Sequence, residues 1–117
     1  MKRKPGTLVQ LEVAVIAAAL SLATQGHPEF YGFLLAKEMK AQADARFRTA
    51  YGTLYKTLDR MQRAGWLASR WEDPEIAERE GRPRRRLYVL TGEGERAYRS
   101  AIQPQSAARL AETGGVS

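Results

Sequence analysis

Apolar residues recur every three or four positions up to Ala64, but every second position directly after Gly65. This change of period constrains the fold more than any other feature of the 117-residue chain. A spacing of three and four is typical of helices with one buried face, whereas alternation is typical of strands. The pattern therefore predicts helices before residue 65 and strands after it, and the length favours a single hydrophobic core.

Three helices are predicted before the change of period. The first spans about Leu8 to Thr24, with Thr7 as its cap, and the second spans about Phe30 to Ala43. The third spans about Ala50 to Ala64 and is closed by the glycine cap Gly65. Two apolar stripes face inward: Leu8, Leu11, Val15, Ala18 and Leu22 on the first helix, and Leu54, Leu58 and Met61 on the third.

Two strands and a last helix are predicted after residue 65. Alternation begins at Leu67, and a second alternating run covers Arg84 to Leu90. The turn-rich segment from Asp73 to Pro83 joins them, so we expect a β-hairpin with a long, charged tip. Thr91 caps a helix that runs to about residue 102. Because Pro104 breaks or kinks a helix, residues 103–117 are either a second helical piece or disordered.

This element order predicts a mostly α protein with a small β-hairpin, arranged as a winged helix-turn-helix. In that fold the third helix enters the major groove of DNA and the hairpin, or wing, touches the flanking backbone. A net charge of +6 and an isoelectric point near 10.0 suit a polyanionic partner, either a nucleic acid or an anionic membrane surface. The fold favours double-stranded DNA.

Basic residues fall on the face of the third helix opposite its apolar stripe. The helix begins with small and polar residues whose hydroxyl and amide groups suit a phosphate, and its cations suit base edges or neighbouring phosphates. The alternative is an ordinary solvated face. The predicted recognition-helix contacts are Tyr51, Gly52, Thr53, Tyr55, Lys56, Arg60 and Arg63.

The second half of the predicted hairpin is crowded with arginines. Their mutual repulsion calls for an anion, and a phosphate backbone or a minor groove would supply one. Alternation along a strand means that only some of them face one duplex at once. The alternative is a loop that compensates itself through Glu75, Glu78 and Glu80. The predicted wing contacts are Arg79, Arg82, Arg84, Arg85 and Arg86.

The residue inventory argues against an enzyme. The chain has no cysteine and a single histidine, His27, so it offers no thiolate metal site and no catalytic triad. We expect no metal and no cofactor. Lys2 to Lys4 precede the apolar run Val13 to Ala23 as in a signal peptide, but Glu12 interrupts the approach and the run is too short to span a membrane. We therefore expect a cytoplasmic protein with no membrane partner.

Three features leave alternatives open. Glu12 lies among apolar residues and either pairs with a basic group near the core or faces solvent. Trp71 and Glu12 are candidates for an effector pocket, although Trp71, like Trp66, also suits simple packing beside the hairpin. Tyr55, Tyr88 and Tyr98 suit either nucleic-acid stacking or the core, and these alternatives stay open at this point.

Six ordered segments resemble the PadR-like family of transcriptional regulators, from Leu8 to about Ala101. They lie in the first helix, at the start of the second, in the third, at the helix-to-strand turn, in the wing and at the start of the last helix. The segments are Leu11-Glu12-Val13-Ala14-Val15-Ile16, Phe30-Tyr31-Gly32-Phe33-Leu34-Leu35, Gly52-Thr53-Leu54-Tyr55 with Leu58-Asp59-Arg60-Met61, Ala64-Gly65-Trp66-Leu67, Gly81-Arg82-Pro83-Arg84-Arg85-Arg86 and Tyr88-Val89-Leu90-Thr91-Gly92-Glu93-Gly94.

The resemblance implies a homodimeric repressor that reads a pseudo-palindromic operator. Release from the operator by a small-molecule effector is a separate hypothesis. It divides the chain into a DNA-binding domain, residues 1–91, and a C-terminal dimerisation helix and tail, residues 92–117. Lys56 stands where the family usually has proline, which adds a positive charge at the groove. A winged-helix module for protein interaction, or for non-specific architectural DNA binding, is the alternative function.

Overall fold

The chain folds into helices and one small antiparallel sheet, which confirms the winged helix-turn-helix prediction. A computed structural model describes residues 8–42 and 51–102. In chain order the elements are α1 (Gln10–Thr24), β1 (Glu29–Phe30), α2 (Gly32–Gln42), α3 (Tyr51–Arg63), β2 (Leu67–Trp71), α4 (Pro74–Arg79), β3 (Arg86–Leu90) and α5, the helical residues 92–102.

One core joins the helices to the inner face of the sheet. Both predicted stripes point into it, with Leu8 and Leu11 packed at its edge, and the rings of Phe30 and Tyr88 stack with centroids 6.0 Å apart. The core includes Val15, Ile16, Ala18, Leu22, Leu35, Met39, Leu54, Leu58, Met61, Trp66 and Leu67. Burial of these side chains fixes the outward face of each helix.

The first helix begins two residues later than predicted. Val9 is the residue before its first turn, and the Val9 N–H donates to Glu12 Oε1 at 3.0 Å. A glutamate in this position satisfies a backbone donor at the helix start, where no carbonyl is available. Thr7, the predicted cap, lies outside the described residues.

The sheet has three strands where the sequence predicts a two-stranded hairpin. The additional strand, β1, includes Phe30, the predicted start of the second helix, so α2 begins only at Gly32. The strand order is β1-β3-β2, with Phe30 opposite Tyr88 and Trp71 opposite Arg86. Arg70 of β2 reaches across β3 to Glu29 with hydrogen bonds of 2.7 and 2.8 Å, which ties the two outer strands together.

The connection between β2 and β3 contains a short helix, so the prediction of a loop from Asp73 to Pro83 is wrong for its first half. Asp73 caps α4 by accepting the Glu75 N–H at 3.0 Å. Helix α4 ends at Arg79, and Gly81, two residues later, has a positive φ of 65° that glycine adopts most readily. Strand β3, the second strand of the predicted hairpin, begins at Arg86, two residues after its predicted start.

The first turn of helix α5 is hydrogen-bonded to Gly65, which follows α3. The predicted cap is confirmed: Thr91 Oγ1 accepts the Gly94 N–H at 3.0 Å and donates to the Gly65 carbonyl at 2.7 Å. Gly94 lies so close to the Trp66 carbonyl that a Cβ at this position would overlap it. The helix is observed as far as residue 102, and the predicted break at Pro104 lies outside the described residues.

No helix within residues 8–42 and 51–102 has the length and apolar composition needed to cross a membrane.

The contact at Gly94 generates a stability prediction. We expect Gly94→Ala to lower the free energy of unfolding by about 1–3 kcal/mol, because overpacking forces the backbone of Trp66 to shift. Gly92→Ala is the matched control, since a Cβ there meets only the end of the Arg96 side chain at 3.8 Å. Urea denaturation measures both. Equal stability of the two variants would contradict the tight junction.

Candidate nucleic-acid interface

Helix α3 exposes the residues that the sequence predicts for DNA contact. Its inner face buries Leu54, Thr57, Leu58 and Met61, and the Thr57 hydroxyl donates to the Thr53 carbonyl at 2.9 Å. The opposite face leaves Tyr51, Gly52, Thr53, Tyr55, Lys56, Asp59, Arg60 and Arg63 exposed. The helix therefore presents a polar, mainly basic surface to solvent.

The three cations of this face differ in what holds them. Lys56 forms no ion pair within the described residues. Arg63 pairs with Asp59 one turn earlier, with both side chains largely exposed, and such surface pairs contribute little to stability. Arg60 bonds through Nε to Glu12 Oε2 at 3.0 Å. Lys56 is thus the cation most available to a ligand, and Arg60 the one most firmly oriented.

Glu12 pairs with a basic group, which resolves one of the alternatives left open by the sequence. Its side chain is fully buried between α1 and α3, where its second oxygen accepts from Arg60. Trp71, by contrast, is half exposed at the far end of β2. The structure does not bring these two candidates for an effector pocket together.

A groove of about 500 Å³ separates the start of α2 and helix α3 from the wing. It brings Tyr55 of α3 to the same place as four of the five wing arginines. The fifth, Arg79, lies on α4, and its Nε donates to the Glu75 carbonyl at 3.4 Å. The lining residues are Tyr31, Gly32, Phe33, Tyr55, Trp71, Arg82, Pro83, Arg84, Arg85 and Arg86.

Three groove arginines rest on aromatic rings. The Arg85 guanidinium carbon lies 4.0 Å from the centroid of the Tyr31 ring, and those of Arg84 and Arg86 lie 5.5 and 5.2 Å from the Trp71 ring. Within residues 8–42 and 51–102 none of the three forms an ion pair. Cation–π contact orients a guanidinium without neutralising it. The charge of these arginines therefore remains available to an anion.

Arg82 is the arginine that the wing itself neutralises. Its two terminal nitrogens bind both oxygens of Glu72 at 2.6 and 2.8 Å, and its Nε binds Glu80 at 3.0 Å. Glu72 also accepts the Arg85 N–H at 3.2 Å. The hydrogen bonds from Arg82, more than any other cause, hold the pKa of Glu72 at about 2. The alternative of a loop that neutralises its own charges therefore holds for Arg82, which pairs with Glu80 and Glu72.

Hydrogen bonds connect the wing to the recognition helix. Arg86 Nε donates to Ser69 Oγ at 3.1 Å, and Ser69 Oγ donates to Gln62 Oε1 at 2.8 Å. This short chain crosses from β3 through β2 to α3. It holds the arginine end of β3 at a set distance from the exposed face of the helix.

Exposed aromatic side chains border the groove, and one of them, Phe33, is not among the contact residues predicted from the sequence. The rings of Phe33 and Tyr51 stack with centroids 6.5 Å apart, and both side chains are more than half exposed. The spacing of Leu35 and Met39 already places Phe33 off the buried face of α2, a signal that the sequence offers. Tyr55 lies over Gly32 so closely that any Cβ there would overlap its ring.

The tyrosine alternatives resolve differently for each residue. Tyr88 is a core residue, and burial raises the pKa of its phenol. Tyr98 is half-buried against the core, whereas Tyr55 is almost half exposed beside the groove. No group of three metal-ligating side chains occurs in the part of the chain that the structure describes.

The bond between Glu72 and Arg82 predicts a pH dependence. The folded pKa of Glu72, about 2, lies below its ordinary value of 4.5, so its charge stabilises the fold above that value. The contribution is lost as the pH falls toward 2. We expect the stability difference between the protein and Glu72→Gln, measured by urea denaturation, to be full near neutral pH and to vanish in acid. A difference that stays constant down to about pH 2 would contradict the assignment.

Known proteins share this architecture. A family model described as the transcriptional regulator PadR-like family matches residues 20–100. A transcriptional regulator from Clostridium thermocellum is similar in structure, with a TM-score of 0.61 and 20% identity over 92% of this chain and 93% of that chain. No curated protein sequence matches significantly.

Two further solved structures are similar. A PadR family transcriptional regulator from Eggerthella lenta has a TM-score of 0.52 and 25% identity, over 91% of this chain and 86% of that chain. A PadR family transcription regulator from hypervirulent Clostridium difficile has a TM-score of 0.61 and 20% identity, over 90% of this chain and 98% of that chain.

Proposed function

The chain belongs to the PadR-like family of transcriptional regulators, and from this premise we propose that it is a homodimeric repressor that binds a pseudo-palindromic operator through α3 and the wing. One observation carries the proposal: the groove places Tyr55 of α3 beside Arg84, Arg85 and Arg86, whose charges no carboxylate neutralises within the described residues. A duplex supplies the missing anions along both elements at once.

Residues at the start of the recognition helix contact phosphates, and residues on its exposed face contact bases or further phosphates. Thr53 and the amide groups near Gly52, at the start of α3, bind a backbone phosphate, which suits the positive end of a helix. Lys56 and Arg60, one turn apart on the exposed face, reach base edges or the next phosphates. Tyr51 and Tyr55 add contacts to sugars and thymine methyl groups.

The wing contacts the flanking backbone or the minor groove. Arg84 and Arg86 lie against one ring and Arg85 against another, and all three line the same groove, so they contact one duplex together. Neutralising several phosphates releases counterions and makes affinity strongly dependent on salt. Arg79 lies outside the groove and contacts only the edge of the footprint.

As a homodimer, a domain of this size recognises an operator longer than one recognition helix can contact. Two recognition helices related by a two-fold axis read half-sites about one helical turn, roughly 34 Å, apart. Helices α1 and α5 build the interface, and the half-exposed apolar side chain of Ile102 on α5 supports this role. We place the protein in the cytoplasm, where it meets its operator.

An effector, where one exists, binds beside Trp71. This half-exposed ring lines the groove and contacts Arg84 and Arg86, so an aromatic ligand there displaces these two arginines from the ring. Quenching of tryptophan fluorescence by such a ligand, together with release of bound duplex, is the expected behaviour. If a ligand binds there and the affinity for the duplex is unchanged, the groove has no role in regulation.

The exposed face of α3 generates a binding prediction. Lys56→Ala is expected to reduce the slope of log affinity against log salt by about 0.9 if the ammonium binds a phosphate. If it reads a base edge, discrimination falls by about 1–3 kcal/mol. Lys37→Ala, an exposed lysine of α2 outside the groove, is the charge-matched control. Equal behaviour of the two variants would remove this face from the interface.

The experiment that tests the function is capture of genomic fragments by the purified protein, with footprinting of the best fragment at two salt concentrations. We expect one protected site with two-fold repeats. Salt-sensitive binding to every fragment alike would favour the architectural alternative. Capture of no fragment, with one protein co-purifying in fixed ratio, would favour a protein-interaction module.

A further inference from the structure

We propose that Glu12 is a positioning residue for DNA recognition, because its buried carboxylate orients Arg60 of α3 toward the duplex. The inference rests on the DNA-binding role proposed above. Glu12 itself is out of reach of any ligand, with no exposed surface, so it acts only through the residues that it holds. It is the one fully buried carboxylate among the described residues.

The carboxylate joins the start of α1 to the recognition helix. One oxygen accepts the Val9 N–H at 3.0 Å, and the other accepts the Nε of Arg60, 48 residues later, also at 3.0 Å. A buried charge is tolerated only when it is well paired and hydrogen-bonded. The position of Arg60 is therefore dictated from inside the protein rather than by solvent.

Capture of Nε leaves the outer end of the guanidinium directed outward. The side chain of Arg60 is 47% exposed, and its terminal nitrogens form no ion pair with any other described residue. Because the guanidinium is a rigid planar fork, fixing one nitrogen also fixes the direction of the other two. Lys56 lies one turn earlier on the same face, so both cations point to the same partner.

Such an arrangement lowers the cost of binding. A free arginine on a helix surface samples many rotamers and loses that freedom when it binds an anion. Glu12 holds the side chain in place beforehand. The drawback is a negative charge beside the DNA-binding face, which by charge alone repels the duplex.

These two effects have opposite signs, and that makes the role of Glu12 testable. Glu12→Gln removes the repulsion, but it replaces one of the two accepting oxygens with an NH2 group, which only donates and cannot accept from Val9 or Arg60. If Glu12 acts by charge alone, the variant binds DNA more tightly. If it positions Arg60, the variant binds more weakly in spite of its higher net charge.

The experiment compares Glu12→Gln with Asp59→Asn, which raises the net charge by the same amount on the exposed face of α3. The probe is a labelled pool of random duplexes of about 30 base pairs, roughly three helical turns. We expect Asp59→Asn to bind more tightly than the unaltered protein. Glu12→Gln is expected to bind about tenfold more weakly, with a salt slope smaller by about 0.9.

Two further variants separate positioning from folding. Ile16→Val weakens the core one turn from Glu12 and is expected to keep the affinity and the salt slope, measured well below its melting temperature. Arg60→Lys keeps a charge for Glu12 but has one ammonium group, which cannot serve the carboxylate and the duplex together. It is expected to show the slope loss of Glu12→Gln, and the double variant to lose nothing more.

The outcomes are distinct. Tighter binding by Glu12→Gln, additive losses in the double variant, or an equal loss of slope in Ile16→Val would each overturn the positioning role while leaving the DNA-binding function intact. Absence of any salt-dependent binding by the unaltered protein would overturn the proposed function and this inference with it.

Discussion

Burial of the apolar stripe of α3 is the interaction on which the rest of the structure depends. Leu54, Leu58 and Met61 have at most 1% of their surface exposed. Fully burying each such side chain contributes about 1.5–3 kcal/mol, whereas an exposed ion pair contributes about 0–1 kcal/mol. The stripe therefore decides how α3 turns about its axis. Lys56 and Arg60 face outward because the core occupies the opposite side.

Local signals in the sequence were sufficient for most of the fold. Periodicity and a glycine cap predicted α3 almost to the residue, and Thr91 caps α5 as expected. The strand Glu29–Phe30 was missed because two residues carry no period, and this strand exists only through pairing with β3. The short helix Pro74–Arg79 was missed because its Pro and acidic residues also suit a turn.

The residues of the candidate site were predictable from the sequence, but which of its cations are paired with a carboxylate was not. Composition and spacing placed the arginines on the wing and the basic face on α3. They did not show that Arg82 is held by Glu72, ten residues earlier, or that Arg60 is held by Glu12 on another helix. These pairings depend on how the elements pack, and they separate cations that brace the fold from cations left available to DNA.

The central claim is that α3 and the wing form one duplex-binding face. Protection of side chains from chemical modification tests it most directly: Lys56 against acetylation, and Arg84, Arg85 and Arg86 against phenylglyoxal, with and without the best captured genomic fragment. We expect the duplex to protect all four residues together and to leave Lys37 reactive. Protection of Lys37 with continued reactivity of Lys56 and the wing arginines would contradict it.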